Sequence, residues 1–372
     1  MGPGDEARWA KSFVERIAAT PRFAGSRHEL DARELCGEHL RRAGFQTREE
    51  EFSFSQVPAR LGPFICGTLF AAGLFLAGHV AAAHREPLPG IAIAVATAII
   101  ASVTGLLLTR SVVTLPAWIR RSSNLVAIRN GAVDEPEVWL VAHIDSKSQT
   151  IGMLVRVASI VFAAMLFALA IGAMILQTTR MADELAMMQS AFAAMFTALA
   201  ILPFALCFVT NNSRGAVDNA SGVAAALLAI DAIPRDRSVG VLISSAEELG
   251  LAGASAFAAR RSFQGIAINC DTIDSFGRFV CMTSGSRESA RSAMRRAAAS
   301  VGQALQVRRT IPGILTDSVA LARAGWDTCT LSRGNLRTLR RVHTSGDDPG
   351  RIDGAGIALA ARILAATVEE LT

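Results

Sequence analysis

The chain reads as an α/β protein on a doubly wound, mostly parallel sheet with helices on both faces, interrupted by two transmembrane helical hairpins. Three observations predict this. Apolar strand-like runs alternate with helical patterns over much of the 372 residues, as in strand–helix–strand units. Two blocks, residues 61–109 and 157–209, hold nearly all the long uncharged runs. The hydrophobic fraction of 51% and mean hydropathy of +0.37 exceed what a typical soluble enzyme carries, which assigns those blocks to lipid.

The first block divides into 61–83 and 90–109, each close to the roughly 20 residues that span a hydrocarbon core as a helix, with a polar turn from His84 to Pro87 between them. The second divides into 157–176 and 185–209, around a tip carrying Arg180, Asp183 and Glu184. Core helices of a soluble enzyme usually run shorter and keep a polar stripe, so both pairs read as membrane hairpins. Gly73, Gly78 and the many alanines predict close helix packing, and Pro203 predicts a kink in the last span. The expected organisation is one α/β domain in three pieces, 1–60, 110–156 and 210–372, with the hairpins at 61–109 and 157–209.

In the remainder, helices are expected over 29–43, 222–230, 251–260, 286–301 and 352–371, and strands over 47–54, 124–129, 138–142, 239–244, 265–270 and 327–331. The beginning of the chain carries Asp5 and Glu6 and has no apolar core of signal-peptide length, so no cleavable leader is expected. Six scattered cysteines form no C-x-x-C pair, which argues against a disulfide framework or a thiolate metal site. A net charge of +5 without basic runs interleaved with aromatics argues against nucleic acid as a partner.

Reactive groups in such sheets gather where strands end at their carboxyl edge. Five places qualify: Val138–Ala142 runs into His143 and Asp145; Asp218 precedes a helix; Val241–Ala246 delivers Glu247 and Glu248; Ile266–Cys270 ends in Asp271; and His343 lies in a polar loop. Each has a bland reading alone. Asp218 could cap its helix, Ser245 and Glu248 have capping-box spacing, and His143 could be a satisfied strand-end imidazole. The set weighs more. Of six histidines, His28 and His39 lie in the amino-terminal segment and His79 and His84 in or beside an apolar span, leaving His143 and His343 in metal-like contexts.

Two imidazoles and three carboxylates suit a pair of divalent ions, with one carboxylate shared between them. Nitrogen and oxygen donors without thiolate favour zinc, with cobalt or manganese as substitutes. The Glu247–Glu248 doublet can hold a metal with one side chain and face a water with the other, because neighbouring side chains diverge.

These motifs, in this order, resemble the zinc aminopeptidase family M28, the aminopeptidase Y or leucyl aminopeptidase-like family. The resemblance runs from about residue 18 to the end of the chain and includes Pro21-Arg22-Phe23-Ala24-Gly25-Ser26. It implies that His143 and Asp271 hold one ion, that Glu248 and His343 hold the other, and that Asp218 bridges two zinc ions. It implies Glu247 as general base, Asp145 as the carboxylate orienting His143, and an unusual cis peptide at Asn219. The chain departs from the family pattern in two ways. A hairpin intervenes between Asp145 and Asp218, so its ends must return close together. Many relatives polarise the substrate carbonyl with a tyrosine, and this chain has none; Ser332, Arg333 and Asn335 are the candidate oxyanion donors.

The expected activity is removal of amino-terminal residues from peptides beside a bilayer. The alternatives are a single-zinc transferase like glutaminyl cyclase, or a catalytically dead binding module; all five ligand positions and the base are filled, whereas loss of ligands marks the latter fate. Arg60, Arg110, Arg120, Arg121, Lys147, Arg156 and Arg214 flank the spans, while the tips offer Arg85 and Arg180. That bias puts the catalytic part on the cytoplasmic side. Oligomeric state is not legible.

Overall fold

The computed structural model describes residues 2–84, 87–129, 135–178, 184–285, 287–310 and 314–372. Among these, the chain divides into two compact units: residues 1–55, 113–148 and 210–372 form the first, and 56–112 with 149–209 the second.

The first unit carries an eight-stranded sheet. Its strands are β1 (Phe45–Ser55), β2 (Ile119–Arg129), β3 (Val138–His143), β6 (Gly240–Ser244), β7 (Ile266–Ile273), β8 (Arg278–Thr283), β9 (Leu305–Arg309) and β10 (Asp327–Gly334). The two remaining strands, β4 (Ser148–Gln149) and β5 (Val209–Thr210), pair only with each other. The large sheet has the order β1-β2-β6-β3-β7-β10-β8-β9. β6, β3, β7 and β10 form a parallel centre, while β1, β2 and β8 join through antiparallel pairings. β8 and β9 were not expected from the sequence. β9 has four of its five residues exposed, so it offers no apolar run to read.

Alternation along the central strands serves two cores. Val138, Leu140 and Ala142 join the core beneath α1 (Pro3–Ile17), α2 (Arg27–Arg42), α8 (Ser221–Ala232), α10 (Ser289–Ser300) and α13 (Ala355–Leu371). Trp139 and Val141 join the opposite core, with α9 (Ala252–Ala259) and α11 (Asp317–Arg323). A one-residue slip of β3 would exchange the two faces, so packing on both sides fixes the register that ends in His143. α1, α11 and α12 (Leu336–Arg341) also lay outside the sequence expectation; α11 and α12 are too short to show a helical period.

The second unit holds α3 (Val57–His84), α4 (Pro87–Arg110), α5 (Met153–Thr178), α6 (Glu184–Ala200) and α7 (Leu202–Ala205). Leu74, Ala77 and Ala94 pack together with Phe70, Phe167 and Ile171. At Gly73 an added Cβ would sit 2.7 Å from Thr97 Cβ, so the small residue lets α3 and α4 approach closely. The expected span at 185–209 is not one helix, because it breaks at Ile201 and resumes with Pro203 in the short α7. Proline has no N–H to continue the ladder and its ring crowds the preceding turn. Three described helices are long and apolar enough to cross a membrane: 57–82, 87–110 and 153–176. The hairpin-tip residues Arg85, Glu86, Arg180 and Asp183, and the expected helix start at Ser286, lie outside the described residues.

Candidate metal centre

Three neighbouring central strands deliver site residues at their carboxyl ends. His143 closes β3 opposite Ser244 of β6; β6 leads to Glu247 and Glu248; Asp271 lies near the end of β7. Asp218 comes from a tight turn, Ala216–Ala220, just before α8, and its peptide bond to Asn219 is cis. Gly215 opens that turn at φ +58°, where a Cβ would stand 2.5 Å from both the Asp218 carbonyl and Ser146 Cβ. Only glycine fits there. His343 follows α12 in the left-handed region, at φ +61°, which histidine tolerates better than most residues.

These side chains converge. Asp218 lies between the two histidines, with Oδ1 3.2 Å from His143 Nε2 and Oδ2 3.1 Å from His343 Nε2. His143, Glu247 and Asp271 form one cluster able to hold a metal, and Asp218, Glu248 and His343 a second. Within the first, His143 Nε2 stands 3.8 Å from Asp271 and 3.9 Å from Glu247. Within the second, His343 Nε2 stands 3.1 Å from Glu248 Oε2. The bland readings of Asp218 and Glu248 do not describe this arrangement: the first turn of α8 bonds Asn219 Oδ1 through the Gly222 N–H, and α9 begins only at Ala252, so Glu248 belongs to no helix start.

All seven named residues, Asp145 included, are at most 8% exposed. Buried charge on this scale calls for counter-charge. Burial would lower the His143 imidazole, but Glu247, Asp145, Asp218 and Asp271 outweigh it and raise its pKa well above the usual value. Burial pushes Glu247 well above the carboxylate range, helped by Glu248, Asp271 and Asp317 and opposed by His143. Glu248 moves the other way, because His343 and Lys147 overcome its burial. Buried His143 Nε2 and Glu248 Oε1 have no hydrogen-bond partner. Orphaned donor atoms in an acidic pocket, with imidazole and carboxylate but no thiolate, fit divalent cations of the zinc type.

A set of buried polar contacts holds these residues in place. Asp145 Oδ1 lies 3.5 Å from His143 Nδ1, which pairs with the Asp145 main-chain carbonyl at 3.1 Å. The Asp145 carboxylate also accepts the backbone N–H groups of Glu247 and Glu248, at 3.1 and 3.2 Å. Arg22, fully buried, donates to the carbonyls of Ile17, Ile144, Arg214 and Gly215, tying the segment after β3 to the turn that presents Asp218. Asp347 accepts from the N–H groups of Val217 and Asp218. Asn219 bonds the Cys270 carbonyl and the Thr272 N–H, joining that turn to β7. Asp274 accepts from Thr338 and Arg341 and so anchors α12, which leads to His343. Arg22, Asp145 and Asn219 lie in segments already noted for their resemblance; Asp274 and Asp347 carry no local motif and were missed.

The second excursion closes where Ser148 Oγ meets Thr210 Oγ1 at 2.7 Å, so the chain returns beside its point of departure. The oxyanion candidates hold other partners. Ser332 donates to the Thr272 carbonyl, Arg333 to the Gly277 carbonyl beside the Phe279 ring, and Asn335 caps α12.

Residues 124–368 match the sequence profile of peptidase family M28. The chain belongs to that family. No curated protein matches it in sequence. Among solved structures, it is similar to a zinc aminopeptidase from Bacillus subtilis, at TM-score 0.57 and 16% identity, over 98% of this chain and 95% of that one. An aminopeptidase from Aneurinibacillus sp. strain AM-1 gives TM-score 0.57 and 12% identity, over 97% and 93%. A glutaminyl cyclase from Fimbriiglobus ruber gives TM-score 0.52 and 14% identity, over 98% and 95%.

Proposed function

We propose that this M28 peptidase is a membrane-anchored aminopeptidase with a dinuclear zinc centre. The observation that carries the reading is Asp218, whose two oxygens face two histidines at 3.2 and 3.1 Å. His143 and Asp271 would hold one ion, Glu248 and His343 the other, and Asp218 both. Bound ions would supply Lewis acidity, polarising the scissile carbonyl and lowering the pKa of water toward neutrality.

The protein's own part is proton transfer and placement. Glu247 is the general base: its carboxylate takes the proton of the attacking water and returns it to the leaving amine as the C–N bond breaks. Its raised proton affinity suits the role, whereas Glu248 is engaged by His343 and Lys147. Asp145 positions the doublet through the main chain. The membrane part of the reading rests on three helices of mean hydropathy 1.8, 2.5 and 2.6. Side chains such as Phe75, Leu107 and Leu169 stand at least 61% exposed, more apolar surface than water tolerates on a monomer. α6 with α7 would make the fourth crossing.

Metal analysis of detergent-purified protein, alongside hydrolysis of aminoacyl fluorogenic substrates with and without chelator, tests the reading. Close to two ions per chain and chelator-sensitive release of free amino acid are expected. A folded, active sample without zinc, cobalt or manganese would end it. The single-zinc cyclase reading keeps one supporting observation, the Lys147 ammonium at Glu248; release of ammonia from an amino-terminal glutamine, without free amino acid, would favour it.

A further inference from the structure

Lys147 has no part in the chemistry above, yet its ammonium stands inside the centre. Its side chain is 14% exposed, and Nζ lies 2.9 Å from Glu248 Oε2. The same Nζ donates to the Glu248 main-chain carbonyl at 2.9 Å. Two contacts to one residue fix the ammonium against the carboxylate. Glu248 thus divides its oxygens: Oε2 serves Lys147 and His343, while Oε1 is buried without a hydrogen-bond partner.

The two clusters therefore differ in charge. On the assignment above, His143 and Asp271 would serve one ion, Glu248 and His343 the other and Asp218 both, so each ion has one imidazole and one carboxylate of its own. The difference is that Glu248 is already paired with a lysine. A divalent ion entering there must share Glu248 with a fixed positive charge in a buried site, where like charges repel more strongly than in water.

We infer that Lys147 makes the centre unequal: the ion at His143 and Asp271 is taken first and tightly, and the ion at Glu248 and His343 weakly, in competition with the ammonium. In the metal-free protein the same ammonium holds Glu248 in place against the neighbouring carboxylates. The inference rests on the dinuclear reading.

The test is a zinc titration of full-length, detergent-purified protein stripped with chelator, read by a competing metallochromic indicator and checked by direct metal analysis. Wild type should show one tight ion and a second at least about tenfold weaker. Lys147→Met, which keeps the linear stem without the charge, should tighten the second ion by at least about tenfold and leave the first unchanged. Lys147→Arg should keep the gap, and it covers the case in which the methionine variant fails to fold. Two ions of equal affinity in wild type, or the same gap in wild type and Lys147→Met, would overturn the inference and leave the dinuclear reading intact. A single ion in both folded proteins would overturn the dinuclear reading, and the inference with it.

Discussion

Asp145 holds Glu247 by its main chain, its Oδ1 accepting the Glu247 N–H at 3.1 Å while Oδ2 accepts from the next residue. One buried carboxylate thus aligns the proposed base and its neighbour beside His143. Asp145→Asn should disturb all three, because one amide oxygen replaces two acceptors and an NH2 group opposes an N–H. An unmade buried hydrogen bond costs about 1–3 kcal/mol. A loss of about tenfold or more in kcat is expected, with the fold retained by circular dichroism; unchanged kinetics would remove Asp145 from the site.

Glu247→Gln and Asp218→Asn should fail differently. The first keeps the proposed ligands and removes the base, so metal content should hold while kcat drops by at least about a hundredfold. The second weakens the carboxylate that faces both histidines, so metal content itself should fall. Normal turnover by Glu247→Gln would refute its role as base.

Arg22→Met should destabilise the protein without touching a proposed ligand. The guanidinium serves four carbonyls in a region where water cannot replace it. Leaving several unsatisfied should cost on the order of 3 kcal/mol or more. Thermal unfolding of wild type, Arg22→Met and Arg22→Lys measures this, with the lysine variant intermediate. A methionine variant as stable as wild type would refute the clamp.

Glu29 gives a pH signature away from the metal ligands. Buried, it accepts from Gly25 N–H and Ser122 Oγ and contacts Ser245, and burial raises its pKa from 4.5 to about 7. Between those values the unfolded chain ionises while the fold keeps the proton. Its stabilising contribution is therefore full below pH 4.5 and lost as pH rises through 7, by up to about 3 kcal/mol. Glu29→Gln cannot ionise, so its stability relative to wild type should improve between pH 5 and pH 8. A pH-independent difference in melting temperature would contradict the protonated state.

Sidedness follows from parity and charge. On the membrane-anchored reading, two hairpins would return the chain to its starting side, as one unit made of three chain segments requires, and the basic flanks predict that side to be cytoplasmic. In intact cells, an impermeant thiol reagent should label a cysteine engineered at Arg85 or Asp183 and spare one at Glu6. Background should be low, since five of the six natural cysteines are buried. The opposite pattern would put the catalytic unit outside and leave its chemistry untouched.

Local pattern carried much of this protein. The strand ending in His143 and the doublet after β6 were legible because burial on both faces writes continuous apolar stretches with polar residues at their ends, and the runs at 61–109 and 157–209 because they are long and almost uncharged. The amino acids that chemistry needs stand at those ends. What only the tertiary structure decided is how they meet. Asp218 faces two histidines that lie 75 and 125 residues from it in sequence. Asp274 and Asp347 act through main-chain N–H groups or a distant helix, which impose no periodicity and leave no motif. Lys147 was legible only as a flanking positive charge; its contact with Glu248 depends on β3 and β6 lying side by side. Sequence spacing records what a segment buries, whereas a site depends on which segments become neighbours, and that is settled by packing across the whole sheet.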